Sequence, residues 1–261
     1  MDPVVSEWLN NILRWLHVVA GIMWIGHLYF FNFVNAQLVK TYDADSKKKV
    51  VPELMPRALY WFRWGAAYTW LTGFLLLGIV YYMGGILVAE GSTMSNGAVT
   101  GVAIGVLVVA FFVYDVLWKS PLGKNEMAGA AVSFVLSVAL AFAMSRMMSG
   151  RAMFIHVGAV FGTLMAMNVW MRIWPAQRKI IGGIKGTGPA PDAAVPALAG
   201  LRSKHNTYMS VPLVFFMVSN HFPSVYGHEL AWVWAAAFVA AGWGLCKFFY
   251  VKSAQAAPAS F

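Results

Sequence analysis

Seven stretches of this chain stay apolar for about 20 residues or close to it, the length at which a helix crosses the hydrocarbon core of a bilayer. They run Ile12–Val34, Ala58–Met83, Ala98–Trp118, Met127–Met147, Ala152–Trp174, Thr207–Phe222 and Leu230–Tyr250. The sixth is the shortest and carries Pro212, but its neighbours require a crossing there. In lipid every backbone N–H and C=O must be bonded internally, so segments of this kind fold as helices. The expectation is an all-α integral membrane protein, a bundle of about seven transmembrane helices forming a single domain over residues 1–261. Composition agrees: 11% of the residues are charged and 60% hydrophobic, against roughly 25% charged in a soluble domain. Cys246 is the lone cysteine. An internal disulfide, a four-cysteine zinc site and a covalently attached c-type haem each need more than one thiol and are excluded.

Loop charges set the expected orientation. Val39–Arg57 holds five Lys or Arg, Lys119 and Lys124 follow the third span, Arg172 to Lys204 holds six, and Lys247 and Lys252 close the chain. Fifteen cations thus fall on one side, against Arg146 and Arg151 on the other. For short loops this bias puts the N-terminus in the periplasm and the C-terminus in the cytoplasm of a bacterial inner membrane. The net charge of +9 is thereby accounted for by topology, and nucleic-acid binding drops out. No cationic leader precedes Ile12, so no removable signal peptide is expected. The long polar linker, 178–204, is rich in Gly and Pro and reads as a flexible cytoplasmic loop, with room for a short surface helix. Gly101 and Gly105 have the small-xxx-small spacing that lets helices approach.

Ionisable residues inside a bilayer are costly and mark function by default. At 1.5 Å of rise per residue, His17, His156 and His221 share a layer within roughly 10 Å of the outer boundary. His27 and His205 belong to an inner layer, and His228 sits beyond the outer one. Haem b in a membrane is commonly held between one His from each of two helices. The outer trio meets that need, with Arg14, Arg146 and Arg151 near enough to pair with propionates. The same trio suits a copper or zinc ion, and any one of these histidines is as readily a core group bonded to a carbonyl. Arg63 reads as a snorkelling side chain, Asp115 as a boundary residue, and Asn168 as an interhelical hydrogen-bonding group.

Three stretches resemble the membrane part of the cytochrome-c-linked urate hydroxylases, called the urate oxidase N-terminal domain. They are Trp8 to His17 continuing through Gly21-Ile-Met-Trp24-Ile-Gly26; His156-Val-Gly-Ala and Gly162 to Asn168, ending Trp174-Pro175-Ala-Gln177-Arg178; and Arg202-Ser-Lys-His205-Asn206-Thr-Tyr208 through Pro212 to Ser219-Asn220-His221-Phe-Pro223. The likeness implies oxidation of urate to 5-hydroxyisourate with electrons passed to cytochrome c. It favours His17, His156, His205 and His221 as the functional histidines, while His27 stands where a small residue is usual. Family members continue into an eighth helix and a cytochrome c domain with Cys-x-x-Cys-His, which this sequence lacks, so the expected acceptor is a separate cytochrome c or a quinone.

The leading expectation is therefore a haem-b membrane oxidoreductase or electron-transfer protein related to urate hydroxylase. If urate is the substrate, its anion needs a cationic, amide-lined pocket, and Arg202, Asn206 and Asn168 are the residues to supply it. Two other classes remain open: a non-catalytic anchor or assembly subunit of a respiratory or photosynthetic complex, and a copper- or zinc-handling membrane protein.

Overall fold

The computed structural model describes residues 2–255. Seven long helices follow one another: α1 (Pro3–Thr41), α2 (Ala44–Tyr82), α3 (Asn96–Lys119), α4 (Glu126–Ser145), α5 (Gly150–Lys185), α6 (Ala194–Ser219) and α7 (Ala231–Gln255). Among the described residues β pairing is confined to an isolated bridge between Val88 and Met148. All but α6 are long and apolar enough to cross a membrane. The 26 residues of α6 make about 39 Å of helix, but Arg202, Lys204, His205 and Asn206 lower its apolar character.

Several helices outrun the apolar stretches. The segment expected as a loop over 178–204 is mostly helical, because α5 continues to Lys185 and α6 already begins at Ala194. The break between them is a glycine cap: Gly186 adopts φ 75, and the amides of Gly186 and Thr187 bond back to the carbonyls of Gly183 and Gly182. This satisfies carbonyls that the helix end would otherwise leave open. The connection proper is 186–193. Ile181 on the cap-proximal turn is buried, which is why a polar-looking sequence stays helical.

The helices alternate in direction, so their connections gather at two ends. At one end the 83–95 connection meets the α4–α5 turn through Ser149 N–H to Leu87 O (2.9 Å), and Gly150 packs on the Tyr226 carbonyl. At the other, Lys204 on α6 pairs with Glu126 at the start of α4 (2.6 Å), and Gln37 of α1 donates to Ser253 of α7. The fifteen loop cations all belong to this second, cation-rich end.

Packing centres on α5, the most buried of the long helices. Close approaches elsewhere rely on glycine. A Cβ on Gly65 of α2 would lie 3.1 Å from the Trp24 backbone nitrogen of α1, and one on Gly242 of α7 would lie 2.8 Å from Pro212 Cδ of α6. The Gly101/Gly105 spacing, by contrast, brings no helix near, since neither glycine has a neighbour within 4 Å of its missing Cβ. The contrast is testable. Gly150→Ala forces a methyl onto the Tyr226 carbonyl, a backbone atom with nowhere to move, and is expected to cost about 1–3 kcal/mol. Gly101→Ala should be neutral or stabilising by up to about 1 kcal/mol. Thermal unfolding in detergent, followed by tryptophan fluorescence, checks both.

Candidate functional site

Of the outer histidines, His156 spends both ring nitrogens and His17 one. His156 is wholly buried; its Nδ1 bonds to the Ala152 carbonyl one turn back (2.7 Å) and its Nε2 to the Tyr82 hydroxyl (3.2 Å). His17, half-buried, bonds through Nδ1 to Thr72 Oγ1 (3.1 Å), with its ring against Gly73 of α2. His221 is exposed on the turn after α6, next to Asn220, which accepts from Tyr81 (2.8 Å). A bis-histidine haem needs two free imidazole nitrogens facing each other across a flat cavity. His156 has none to give, and none of the three lines either cavity described below. His156 is thus not arranged to hold a haem iron, whereas among the described residues His17 uses only Nδ1. Nor do the described residues contain a group of three or more His, Cys, Asp or Glu able to hold a metal ion. His27 bonds the Met23 carbonyl (2.7 Å) and His228 caps Leu230 (3.0 Å). Spectroscopy checks the first point: the purified chain is expected to show no pyridine haemochrome whose amount falls in His156→Phe.

The inner layer is different. Tyr114 and Asp115 end α3; Asn168 and Arg172 lie four apart on α5; Arg202, His205 and Asn206 lie three and four apart on α6. The α5 and α6 sets each lie along one helix face, and Tyr114 and Asp115 meet them from neighbouring positions of α3. Asp115 accepts from Arg202 Nη2 (2.8 Å), Arg172 Nη2 (2.6 Å) and Lys119 Nζ (2.7 Å). Asn168 Nδ2 donates to Asn206 Oδ1 (2.9 Å) and to the Tyr114 hydroxyl (3.0 Å), and Asn206 Nδ2 donates to the Met165 carbonyl (3.0 Å). The Tyr114 hydroxyl also lies 2.8 Å from His205 Nδ1; with Tyr114 as the donor of that bond, the imidazole proton sits on Nε2.

Two features of this cluster are unbalanced. Three cations converge on one carboxylate, leaving a surplus of positive charge. Arg202 and Asn168 are also wholly buried, yet Arg202 Nε and Nη1 and Asn168 Oδ1 have no hydrogen-bond partner. The Arg202 guanidinium does lie over the Tyr114 ring, 4.7 Å from its centroid. Each such orphan in a dry interior costs about 1–3 kcal/mol. A ligand presenting an anionic or carbonyl oxygen to Arg202 and an N–H to Asn168 recovers that cost.

The cluster has a second side. His205 and Tyr114 also line a slot of about 840 Å³ between α3 and α4, floored by α5, α6 and α7. It extends along α3 from Val102 to Leu117, about 22 Å of helix. Trp118 packs on the imidazole with ring centroids 4.0 Å apart. A smaller hollow of about 480 Å³ lies against His27, Arg57 and Trp61.

The structure thus brings together Arg202, Asn206, Asn168 and His205 and separates them from His17, His156 and His221. Sequence reasoning missed Tyr114, Asp115 and Arg172. The available signal was the cost of an intramembrane carboxylate, which demands a cation. The Arg63 guanidinium is 4.1 Å from the Trp174 ring centroid and within 6 Å of those of Tyr60, Trp64 and Trp170.

Compared with known proteins, the chain matches a family model described as urate oxidase N-terminal over residues 3–50 and 41–260. No curated protein and no solved structure matches it.

Proposed function

The chain belongs to the urate oxidase N-terminal family, and from that premise we propose that it is a urate-hydroxylase-like oxidoreductase of the bacterial inner membrane whose substrate site is the Arg202 cluster. The cation bias of the loops turns the cluster toward the cytoplasm and the N-terminus toward the periplasm. The observation that carries the reading is the pair of unspent Arg202 nitrogens beside the unspent Asn168 oxygen, within a surplus of positive charge.

Urate is an anion at neutral pH, edged with carbonyl oxygens and ring N–H groups. Arg202 Nε and Nη1 carry free N–H donors on separate edges of the guanidinium, each able to make a charge-assisted bond to a urate oxygen. Asn168 Oδ1 accepts a ring N–H, with Asn206 holding the Asn168 amide in orientation. In the reaction, C5 of urate gains a hydroxyl from water and the molecule releases two electrons and two protons, giving 5-hydroxyisourate. The surplus charge favours binding of the urate anion. The Arg202 atoms are closed over by side chains, so urate enters as these part, and association well below the diffusion limit follows.

The test is anaerobic turnover by the purified full chain in nanodiscs, with urate as donor and a water-soluble dye as acceptor. Dye reduction accompanied by 5-hydroxyisourate, its new oxygen labelled from ¹⁸O-water, is the expected result. No urate-dependent reduction above protein-free nanodiscs overturns the reading.

A further inference from the structure

We propose that the slot between α3 and α4 binds an isoprenoid quinone, with its ring at His205 and its tail running along α3, and that this quinone is the acceptor of the electron pair. The second half of the statement rests on the urate reading above; the first half does not.

The shape argues for a tailed ligand. The slot is long and nearly all apolar, and its lining residues Val109, Val113, Met127 and Leu136 are exposed on the face that meets lipid. A ligand dissolved in the membrane therefore enters sideways. Gly105 contributes no side chain and nothing lies within 4 Å of its missing Cβ, while Ala130 and Ser133 on the α4 wall are small, so the gap stays open along its length.

The chemistry at the inner end selects the head group. With Tyr114 donating to His205 Nδ1, the imidazole presents Nε2–H, a neutral donor of the kind a quinone carbonyl accepts. Trp118 beside the imidazole offers a flat surface for a planar ring. A phospholipid would bring a phosphate; Lys204 at this end is paired with Glu126, while Lys247 also lines the slot, so retained phospholipid is the competing outcome of the test below. Tyr114 also joins the slot to the Arg202 cluster by consecutive hydrogen bonds, so donor and acceptor occupy opposite faces of one wall. The balance closes: urate and water lose two electrons and two protons, and both quinone carbonyls become hydroxyls, giving quinol.

Equilibrium binding of radiolabelled decylubiquinone to the full chain in phosphatidylcholine nanodiscs tests the site without urate. One quinone per chain is expected, with affinity about tenfold lower in His205→Phe, the loss of one hydrogen bond. Binding should be abolished in Gly105→Trp, which fills the slot. Gly101→Trp, one turn away and outside the slot, should bind as wild type. Failure of wild type to bind quinone, tightly retained phospholipid in its place, or full binding by Gly105→Trp overturns the proposal. Dye-linked urate oxidation separates the two readings. If it proceeds while quinone does not bind, the slot assignment falls. If quinone binds as described but urate is never oxidised, the urate reading falls and the quinone site stands.

Discussion

Asp115→Asn is expected to destabilise the chain by about 3–5 kcal/mol, the largest effect of any single isosteric change at the cluster. Asparagine keeps the volume and removes the charge to which Arg202, Arg172 and Lys119 converge. The three cations are not equally affected. The Lys119 side chain is 57% exposed and that of Arg172 21%, so both can turn toward water. Arg202 is 0% exposed and is left as a buried charge without a counter-ion, which is where nearly all the cost arises. Two further variants separate this account from general disruption. Lys119→Ala should lose less than about 1 kcal/mol, as exposed pairs do. Asp115→Asn combined with Arg202→Met should recover most of the loss, because both ends of the buried pair are then apolar or neutral. Denaturant or thermal unfolding in one detergent gives all three values. A loss below about 1 kcal/mol for Asp115→Asn would show that the cluster does not govern the α3–α5–α6 contact.

Arg202→Lys is the second large effect, on activity rather than on folding. Lysine retains a cation for Asp115 and so preserves the ion pair, but it has no counterpart to Nε and Nη1, the two nitrogens left unspent. Two separate charge-assisted donors give way to a single point charge already committed to a carboxylate. Loss of charge-assisted bonds worth about 1.5–3 kcal/mol corresponds to a fall of about 10- to 100-fold in kcat/KM for urate. Unfolding should stay close to wild type. If Arg202→Lys oxidised urate at the wild-type rate, the guanidinium would be a structural group and the substrate site would lie elsewhere.

Much of the architecture is legible in the sequence because lipid imposes one rule on every span. Run length gives the helices, and the unequal distribution of Lys and Arg sorts the loops into the same two groups that the structure gathers at opposite ends. The start of α6 was hidden because Arg202, Lys204 and His205 interrupt its apolar character, and these are the residues that build the cluster. Position along each span gave an expected depth for every histidine, whereas rotation about the helix axis was not readable. His156 and His27 spend Nδ1 on the carbonyl four residues back, a local satisfaction that no count of histidines at one level reveals. The Asp115 hub was missed for a related reason. Its cationic partners Arg172 and Arg202 stand 57 and 87 residues away, and a carboxylate near the end of a span looks like an interfacial group until those helices are packed against it. Arg202, Asn206 and Asn168 emerged because a family motif and the cost of polar groups in lipid pointed to the same three side chains.

The claim on which this account turns is that Arg202 and Asn168 hold a urate anion, and direct binding tests it without requiring turnover. Equilibrium dialysis of radiolabelled urate against the full chain in nanodiscs, under nitrogen and without an acceptor, should give one urate per chain, with affinity reduced about 10- to 100-fold in Arg202→Lys. Absence of saturable binding, or equal affinity in the wild type and Arg202→Lys, would contradict it.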